Sequence, residues 1–456
     1  MSKYFGTDGF RGRANESLKN EHAYKIGRFL GWYFSRGEHP ARIVIGKDTR
    51  ISGYMLEYSL VAGISASGGE PHMMHVTTTP SIAFIARTEN FHAGIMISAS
   101  HNEYCDNGIK LFNSQGEKFG EEFLSKIESY IDCDMLSLGI TARDIPLAKP
   151  EKIGKVTDYF SGRNKYMAYL SGLATHSFKG VKVGLDGANG SAYAIARSVF
   201  SSLGAKVYMV GDNPNGKNIN VNCGSTNLSA LQKLVKSHNL DVGFAFDGDA
   251  DRCLCVDENG EVINGDVVLF IYAKFLKERG RLFSNCVTTT EGSNFGLYKS
   301  LEEIGVKYSK TQVGDRYVYE DMVKFDKELG GEQSGHTIFR KYSTTGDGIL
   351  TAMKIMQVML EKKSSLATLA KEIKLYPQTM INVKVTNKEK SISDPDLNFA
   401  IMKVAKSLGE NGRILVRKSG TEQLIRVLCE SQNQELCDKY ASVIAEIIKT
   451  KEGENE

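Results

Sequence analysis

The sequence predicts a multidomain α/β protein in which helices cover sheets of largely parallel strands. The chain has 456 residues, which is too many for a single hydrophobic core and favours three or four domains. A strand–helix–strand pattern occurs three times, and such alternation is typical of parallel sheets with helices on their faces. The last segment, from Leu375 on, is smaller and lacks the pattern, so we expect a domain of another kind there.

Each repeat consists of a short apolar strand, a polar loop, a helix, a glycine and a second strand. The predicted strands and helices are, in order, Arg42–Gly46, Met55–Ile64 and Pro71–Val76; Val181–Leu185, a helix ending at Leu203, and Ala205–Val210; Asn285–Thr289, Phe295–Ile304 and Val306–Lys310. Polar or turn-rich stretches separate the repeats, and they place the predicted domains at residues 1–150, 151–256, 257–374 and 375–456.

Composition and charge exclude several classes of function. Hydrophobic residues make up 41% and charged residues 24%, ordinary values for a globular protein, and a net charge of +3 is too small to predict nucleic-acid binding. The opening stretch MSKYFGTDGF lacks the apolar core of a signal peptide, and no apolar run approaches the ~18 residues of a membrane span. The eight dispersed cysteines predict reduced thiols rather than a zinc site. We therefore expect a cytoplasmic protein without nucleic-acid or membrane partners.

The stretch GIMISASHNEYCDNGIK, from Gly94 to Lys110, carries a candidate nucleophile. An apolar strand runs directly into two serines, Ser98 and Ser100, next to a histidine. A serine hydroxyl is a weak nucleophile unless a neighbouring group activates it, and the histidine is such a group. By itself, this stretch leaves open which serine reacts and with which electrophile.

Three carboxylates at alternate positions, Asp247, Asp249 and Asp251, follow another apolar strand. Their mutual repulsion predicts a hard divalent cation with oxygen ligands. One alternative is an EF-hand calcium loop, in which Glu258 would be the last ligand. It fails because Arg252 stands where that loop requires glycine. A solvated acidic turn without a metal remains open.

Two further loops carry groups that suit a sugar phosphate. Residues 417–422, with Arg426, combine a Ser-Gly-Thr turn with guanidinium groups that bind phosphate. Residues 330–336 offer a carboxylate, an amide, a hydroxyl and an imidazole for sugar hydroxyls. A plain surface turn is the alternative for each loop. A nucleotide-binding P-loop is excluded, because Gly211–Lys217 is followed by Asn218 instead of Ser or Thr.

Taken together, these four stretches resemble the α-D-phosphohexomutase superfamily, most closely its bacterial phosphoglucosamine mutase branch. The resemblance covers nearly the whole chain. Further matching motifs are Tyr4–Gly12, Gly46–Glu57, Asn218–Asn220, Cys223–Thr226, Val313–Val318 and Thr345–Gly348. It implies a heart-shaped architecture of three similar α/β domains and a smaller α+β C-terminal domain related to the TATA-box-binding protein. It also implies mixed sheets, whereas the repeat pattern alone favours purely parallel ones.

The resemblance implies a specific reaction. Ser100 would carry a phosphoryl group, with Ser98 in a supporting place, and Asp247, Asp249 and Asp251 would bind Mg²⁺ together with that phosphoserine. The enzyme would interconvert glucosamine 6-phosphate and glucosamine 1-phosphate through the 1,6-bisphosphate, feeding UDP-N-acetylglucosamine synthesis. Glucosamine or glucose 1,6-bisphosphate is the implied activator.

Roles for other residues follow from the same resemblance. The matching residues are, for charge stabilisation, Arg11, His101, Lys110 and Arg252; for proton transfer, Lys110 and His336; for sugar hydroxyls, Glu332, Gln333 and Ser334; and for the non-reacting phosphate, Arg417, Ser419, Gly420, Thr421 and Arg426. Two alternatives stay open: His101 could only brace the loop, and Arg252 could only pair with the neighbouring aspartates.

Departures from the family pattern and alternative functions complete the prediction. Glu103, Lys418 and Gln423 stand where the family commonly has proline, and Val76–Pro80 differs from the common form. Because a proline ring stiffens the backbone, these departures leave the stiffness of the loops open but do not affect the predicted chemistry.

The alternative functions are a mutase acting on mannose or glucose phosphates, a non-catalytic sugar-phosphate sensor on the same fold, and a Mg²⁺-dependent phosphatase. Whether the chain forms a homodimer is left open.

Overall fold

The computed structural model describes residues 3–35, 39–141, 143–419 and 423–453. Within these residues the strands form four separate sheets. The chain divides into two compact units, the first comprising residues 1–292 and 306–372 and the second comprising residues 293–305 and 373–456. No helix in the described part of the chain combines the length and the apolar character that crossing a membrane requires.

The strands are, in chain order, β1 (Phe5–Gly6), β2 (Gly9–Arg13), β3 (Arg42–Lys47), β4 (Glu70–Val76), β5 (Ala93–Ile97), β6 (Asp106–Asn113), β7 (Thr157–Asp158), β8 (Lys182–Asp186), β9 (Lys206–Val210), β10 (Val242–Phe246), β11 (Cys253–Val256), β12 (Val262–Ile263), β13 (Cys286–Thr290), β14 (Lys307–Thr311), β15 (Leu329–Gly331), β16 (Thr337–Phe339), β17 (Gln378–Lys384), β18 (Gly412–Lys418) and β19 (Leu424–Ser431).

The α-helices are, in chain order, α1 (Asn20–Phe34), α2 (Ser52–Ala66), α3 (Thr79–Thr88), α4 (Glu121–Ile131), α5 (Phe160–Gly172), α6 (Ala192–Ser202), α7 (Ser229–His238), α8 (Gly265–Glu278), α9 (Phe295–Glu303), α10 (Asp315–Lys324), α11 (Gly348–Lys362), α12 (Leu366–Ala370), α13 (Lys388–Ile392), α14 (Pro395–Leu408) and α15 (Gln434–Gly453). Two short 3₁₀ helices lie at Pro150–Lys152 and Gly409–Asn411.

The first sheet has the order β1-β2-β6-β5-β3-β4-β7, and helices cover both of its faces. Successive side chains of β3 point to opposite faces, as in any strand. Ile43 and Ile45 join the core cluster that contains Leu60 of α2, whereas Val44 joins the cluster that contains Ile82 of α3. This burial on both faces explains why β3 reads as a continuous apolar run. The short strand β7 pairs with β4, so the first sheet extends beyond residue 150.

The second and third sheets complete the first unit. Their orders are β12-β11-β10-β8-β9 and β14-β13-β15-β16. The second unit contains the remaining sheet, β17-β19-β18, which is antiparallel throughout. Its core cluster includes residues of α14 and α15, among them Leu397 and Ile444.

The three predicted repeats are confirmed. The structure contains β3–α2–β4, β8–α6–β9 and β13–α9–β14, and the two strands of each repeat pair in parallel. The domain boundaries predicted from the sequence stay predictions.

The expectation of purely parallel sheets is wrong, and the mixed sheets implied by the resemblance are confirmed. Strand pairs β5/β6, β10/β11 and β15/β16 are antiparallel. Each pair is joined by a short loop, and only an antiparallel neighbour can be reached without a long crossover connection. The repeat pattern contains no information about such neighbours, because it registers only the strands that flank a helix.

Candidate active site

Three loops that join antiparallel strand pairs carry most of the predicted site residues of the first unit. The serine loop, residues 98–105, connects β5 to β6, and the aspartate loop, residues 247–252, connects β10 to β11. The glutamate loop, residues 332–336, connects β15 to β16. Each loop starts where a strand with a parallel neighbour ends, the position at which α/β sheets place their ligand-binding groups.

The serine and aspartate loops approach each other so closely that one residue between them must be glycine. A Cβ atom on Gly248 would lie 2.4 Å from the carbonyl oxygen of Ser100, well inside van der Waals contact. On its other side, the Gly248 carbonyl accepts a hydrogen bond from the N–H of Ser191 at 2.8 Å. The aspartate loop is therefore held against the backbone of Ser100.

Ser100 is buried, and its backbone and side chain are both held in place. Its φ of 54° lies in the left-handed region, which is uncommon for a residue with a side chain and occurs at functional turns. The Ser100 N–H donates to Oγ of Ser98 at 2.9 Å, and that hydroxyl donates to Asp48 at 2.6 Å. Oγ of Ser100 donates to Oδ2 of Asp247 at 2.5 Å and lies 3.3 Å from Nδ1 of His101.

The three aspartates form a buried cluster with the properties of a cation site. They are 0–3% exposed, so the alternative of a solvated acidic turn is wrong. One ligand oxygen from each lies within 4.8 Å of the other two. Among the residues described, nothing donates a hydrogen bond to Oδ1 of Asp249 or of Asp251. Buried carboxylate oxygens rarely lack partners, and oxygen ligands in this number suit a hard divalent cation. The residues present therefore fit a metal ion.

Lys110, on β6, offsets part of the charge of this cluster. Its Nζ donates to Oδ2 of Asp249 at 2.6 Å and to Oδ2 of Asp251 at 2.9 Å. Burial alone would lower the pKa of Lys110, but these two carboxylates raise it above its ordinary value. Burial and the charges of Asp251 and Asp249 raise the pKa of Asp247 well above its ordinary value. Burial would also raise the pKa of Asp251, but Lys110 and His336 hold it well below the usual range.

His101 sits between Ser100 and two guanidinium groups. Burial, and then the charges of Arg252 and Arg11, lower the pKa of His101 to about 4, so the ring is neutral near pH 7. The backbone N–H of Arg252 donates to Oδ1 of Asp247 at 3.1 Å, a bond between the two ends of the aspartate loop. Arg11, on β2, pairs with Asp8 at 3.2 Å.

His336 lies between two carboxylates and a backbone amide. Its Nδ1 is 3.7 Å from Asp251, and its Nε2 is 3.4 Å from Asp315. Burial opposes the charged ring, but Asp315, Asp251 and Glu332 raise the pKa of His336 to about 9. The N–H of Gly346 donates to Nε2 at 2.9 Å, however, and this bond requires a lone pair there. In this conformation the hydrogen bond determines the tautomer, so the ring can donate only from Nδ1, toward Asp251.

The other residues of the glutamate loop present polar groups without strong internal partners. Oε1 of Glu332 accepts from the N–H of Gly314 at 3.0 Å, and burial raises the pKa of its carboxyl group. The side chains of Gln333 and Ser334 are half-buried, and no described residue forms a hydrogen bond with either of them. These groups are available to a ligand.

Arg50 also belongs to this site. It lies in one of the motifs that carry the family resemblance, but the sequence assigned it no role. Its guanidinium is buried and pairs with Asp48 at 2.9 Å. It donates to the carbonyl oxygens of Ser100 at 3.0 Å, Asn102 at 2.8 Å and Glu103. A fourth bond at 3.0 Å goes to the carbonyl at position 106. One side chain thus determines the path of the serine loop.

A second group without an assigned role links the glutamate loop to the N-terminal segment. Nζ of Lys118 contacts Asp315 at 2.6 Å and Asp8 at 3.2 Å. Burial would lower the pKa of Lys118, but Asp315 and Asp8 raise it. Asp8 and Asp315 both belong to motifs that carry the family resemblance, and this membership is the feature of the sequence from which their place near the site could have been predicted. Their contacts with Arg11 and His336 place the network directly behind predicted site residues.

The predicted phosphate loop lies in the second unit. Arg417 and Arg426 are directly opposite each other on the antiparallel strands β18 and β19, so their side chains share one face of the sheet. Ser419 is buried, and its N–H donates to the carbonyl of Leu424 at 3.0 Å. Gly420 and Thr421 lie outside the described residues. Like charges directly opposite on a sheet repel, and a bound anion would offset that repulsion.

The residues that stand in place of the family's prolines are each held by hydrogen bonds. Arg50 donates to the carbonyl of Glu103 in the serine loop. In the second unit, Lys418 pairs with Glu389 at 2.6 Å, and the side-chain amide of Gln423 donates to a backbone carbonyl at 2.9 Å. Side-chain contacts therefore supply local restraint where a proline ring is missing.

Comparison with protein-family models determines the family. Models for the alpha/beta/alpha domains I, II and III of phosphoglucomutase/phosphomannomutase match residues 2–136, 164–260 and 264–376, and the model for the C-terminal domain matches residues 380–447. The chain belongs to the phosphoglucomutase/phosphomannomutase family. Membership makes it an isomerase of the phosphosugar mutase type, with the four-domain α/β architecture that the resemblance implied.

Curated relatives match over almost their whole length. The chain is 55% identical over 453 residues to a phosphoglucosamine mutase of Lachnospira eligens, with 99% of each chain covered. It is 53% identical over 451 residues to the phosphoglucosamine mutase of Lachnoclostridium phytofermentans, again with 99% of each covered.

Solved structures share the fold at much lower identity. A phosphoglucomutase/phosphomannomutase family protein from Burkholderia thailandensis matches with a TM-score of 0.80 at 20% identity, with 98% of each chain covered. The N-acetylphosphoglucosamine mutase of Aspergillus fumigatus, solved in complex with GlcNAc-6P and magnesium, matches with a TM-score of 0.73 at 17% identity, covering 99% of this chain and 96% of that one.

Replacing Arg50 by lysine tests the role of its guanidinium. Lysine keeps the positive charge but cannot bond several carbonyls and Asp48 at once, so buried carbonyls lose their donors at about 1–3 kcal/mol each. We expect the Arg50→Lys variant to unfold at a lower temperature and to lose about 10–100-fold in kcat. Arg197→Lys is the matched control, because Arg197 forms an exposed pair with Asp212. Normal turnover of the Arg50→Lys variant would show that the serine loop keeps its path without this clamp.

Proposed function

We propose that this chain interconverts glucosamine 6-phosphate and glucosamine 1-phosphate through a phosphoserine at position 100 and a glucosamine 1,6-bisphosphate intermediate. The product would supply UDP-N-acetylglucosamine synthesis. The observation that carries the proposal is the contact of Oγ of Ser100 with Asp247, inside a cluster of three buried aspartates. A hydroxyl held against a carboxylate cluster that fits a divalent cation is the arrangement that phosphoryl transfer needs.

The choice of glucosamine as the preferred sugar is supported by the curated relatives. Those that match at 55% and 53% identity over nearly the full chain are named phosphoglucosamine mutases. The polar side chain of Gln333 in the glutamate loop agrees with this choice, because a glutamine can hydrogen-bond a sugar substituent that an apolar side chain cannot.

In the first transfer, the phosphoryl group leaves Ser100. The bond between phosphorus and Oγ breaks while O1 of glucosamine 6-phosphate forms a new bond to phosphorus. The proton of the O1 hydroxyl passes to the protein, with His336 as the candidate acceptor once its Nε2 is released from the N–H of Gly346. The leaving Oγ takes a proton from the protein, with the ammonium of Lys110 as the candidate donor. Mg²⁺, when held by Asp247, Asp249 and Asp251, would offset the charge of the phosphoryl group and polarise it.

In the second transfer, the bisphosphate turns round and presents its O6 phosphate. The bond between phosphorus and O6 breaks, and Oγ of Ser100 returns its proton to Lys110 as it takes up the phosphoryl group again. O6 regains a proton from His336. Glucosamine 1-phosphate leaves, and the phosphoserine is restored. The neutral ring of His101 lies 3.3 Å from the hydroxyl, and the charges of Arg252 and Arg11 act on that ring. We assign these groups to stabilising the spread negative charge.

The remaining polar residues position the sugar phosphate. Glu332, Gln333 and Ser334 are assigned to the sugar hydroxyls, since their side chains carry acceptors and donors on a rigid hairpin loop. In the second unit, Arg417 and Arg426 are assigned to a phosphate, because their guanidinium groups share one face of the sheet.

Phosphorylation of Ser100 is the first test. After incubation with glucose 1,6-bisphosphate, intact mass and peptide mapping should show one phosphate, on Ser100. The Ser100→Ala variant should carry none there and should lose about 10⁴-fold or more in kcat. Ser98→Ala is the matched control, because Ser98 supports the backbone of Ser100 without reacting: it should still be phosphorylated but turn over more slowly. A Ser100→Ala enzyme with normal turnover would exclude the proposed mechanism.

Removal of the metal is the second test. A chelator should stop turnover and Mg²⁺ should restore it. Mg²⁺ should also raise the melting temperature of the wild-type protein but not of Asp249→Asn, because a ligand stabilises only the state that binds it. The variant should lose about 100-fold or more in kcat. Asp212→Asn, in an exposed ion pair, is the control. Equal Mg²⁺ stabilisation of wild type and Asp249→Asn would contradict the metal assignment.

Substrate choice is the third test. We expect wild-type kcat/KM to be highest for glucosamine 6-phosphate when glucosamine, glucose and mannose phosphates are compared. If Gln333 contacts the substrate, Gln333→Met should narrow the preference for glucosamine over glucose phosphate by up to ~1–2 kcal/mol. Gln115→Met, at an exposed position, should leave it unchanged. If the preference is unchanged in Gln333→Met, this residue distinguishes the phosphoglucosamine branch of the family without contacting the substrate. A wild-type preference for mannose or glucose phosphate would overturn the choice of sugar.

A further inference from the structure

A cavity that is partly open to solvent lies in the first unit, apart from the residues assigned to the phosphosugar site. It has a volume of about 470 Å³, within the range of small-molecule pockets. The end of α5, the helices α8 and α11 and the β15–β16 hairpin form its walls. Its lining combines aromatic rings with basic groups; these residues are Tyr272, Phe275, Phe283, Phe339, Tyr342, Arg281, Lys341 and Lys354.

Lys354, on α11, is the unusual member of this lining. It is 4% exposed, and within the described part of the chain its ammonium makes neither a hydrogen bond nor an ion pair. The other buried lysines among the described residues, Lys47, Lys110 and Lys327, each contact a carboxylate. The contact of Lys354 is with the face of the Tyr342 ring, 4.2 Å from Nζ to the ring centre.

An unpaired buried ammonium costs stability, since burial removes water from the charge without supplying an anion. Burial and the nearby charge of Lys341 lower the pKa of Lys354 to about 8, while Glu361 acts in the opposite direction. The group nevertheless remains mostly protonated at neutral pH. The cavity therefore contains a positive charge that no described residue pairs with a carboxylate.

The side chains that form the walls of the cavity indicate what kind of molecule would carry the negative group that pairs with Lys354. Tyr272 and Phe339 are buried and pack edge to face, with ring centres 4.8 Å apart. Lys341 and Arg281 are exposed and bring further positive charge to the rim. The carboxylate in the lining, Glu328, is already bonded to the hydroxyl of Ser284 at 2.6 Å. Such a cavity favours a planar apolar body that carries a negative group.

We infer that this cavity binds a small organic anion whose charged group pairs with Lys354 and whose planar, apolar part packs against Tyr272 and Phe339. The site differs in chemistry from the phosphosugar site, which offers carboxylates and polar loops instead of aromatic walls. The inference does not depend on the proposed function.

Two matched compounds test the inference, naphthalene-2-sulfonate as the anion and 2-naphthylmethanol as its neutral analogue. Calorimetric titration of the full chain should give about tenfold tighter binding of the sulfonate. Lys354→Met, which keeps an unbranched side chain one atom shorter and without charge, should remove this preference, and the control Lys341→Met should largely retain it. Saturating glucosamine 6-phosphate should leave the binding unchanged.

The same variant has a second readout without any ligand. Lys354→Met should raise the melting temperature, because it removes an uncompensated buried charge. A lower melting temperature would mean that Lys354 stabilises the fold through Tyr342, and it would overturn the inference. So would equal binding of the two compounds by the wild-type protein, an anion preference that persists in Lys354→Met, or displacement of the sulfonate by glucosamine 6-phosphate.

Discussion

Three carboxylates buried within 4.8 Å of one another repel strongly, and the arrangement of the surrounding loops depends on offsetting that repulsion. The ammonium of Lys110 reaches two of them from β6, and the hydroxyl of Ser100 donates to the third. His336 lies beside Asp251 from the glutamate loop. These groups come from β6, the serine loop and the glutamate loop, so the charge cluster joins the three loops into one site. Two of its oxygens accept no hydrogen bond from any described residue, and this makes the cluster fit a cation rather than a closed hydrogen-bonded network.

Ser100 is held by a separate network that carries almost no net charge. Asp48 and Arg50 neutralise each other, and between them they bind Ser98 and the carbonyls of the serine loop. The left-handed backbone of Ser100 is stable only because these contacts over-determine it. Preorganisation of this kind keeps the hydroxyl at the aspartate cluster before a substrate arrives, and preorganised groups contribute most to phosphoryl transfer.

Buried lysines have two different relationships with their surroundings in this chain. Lys110 lies between carboxylates, which raise its pKa, and its charge belongs to the architecture of the site. Lys354 lies among aromatic rings and another cation, and its pKa falls. The first arrangement stabilises the fold, whereas the second costs stability unless an anion enters the cavity. This contrast, and not the size of the cavity, is what distinguishes the second site from an accidental void.

The sequence by itself determined the features that depend on neighbouring positions in the chain. The strand–helix–strand repeats, the alternating aspartates and the Ser-Ala-Ser-His-Asn motif are patterns of local spacing, and both the α/β class and the candidate ligands follow from them. Resemblance to a family added roles for individual residues. Only the tertiary structure decided which strands are antiparallel neighbours, that Ser100 meets Asp247 across 147 positions, and that Arg50 holds the serine loop. It also decided that Lys354 is buried against an aromatic ring, with no carboxylate beside it among the described residues. These facts concern contacts between segments far apart in the chain, and such contacts depend on how whole sheets and helices pack, which no local period or spacing encodes.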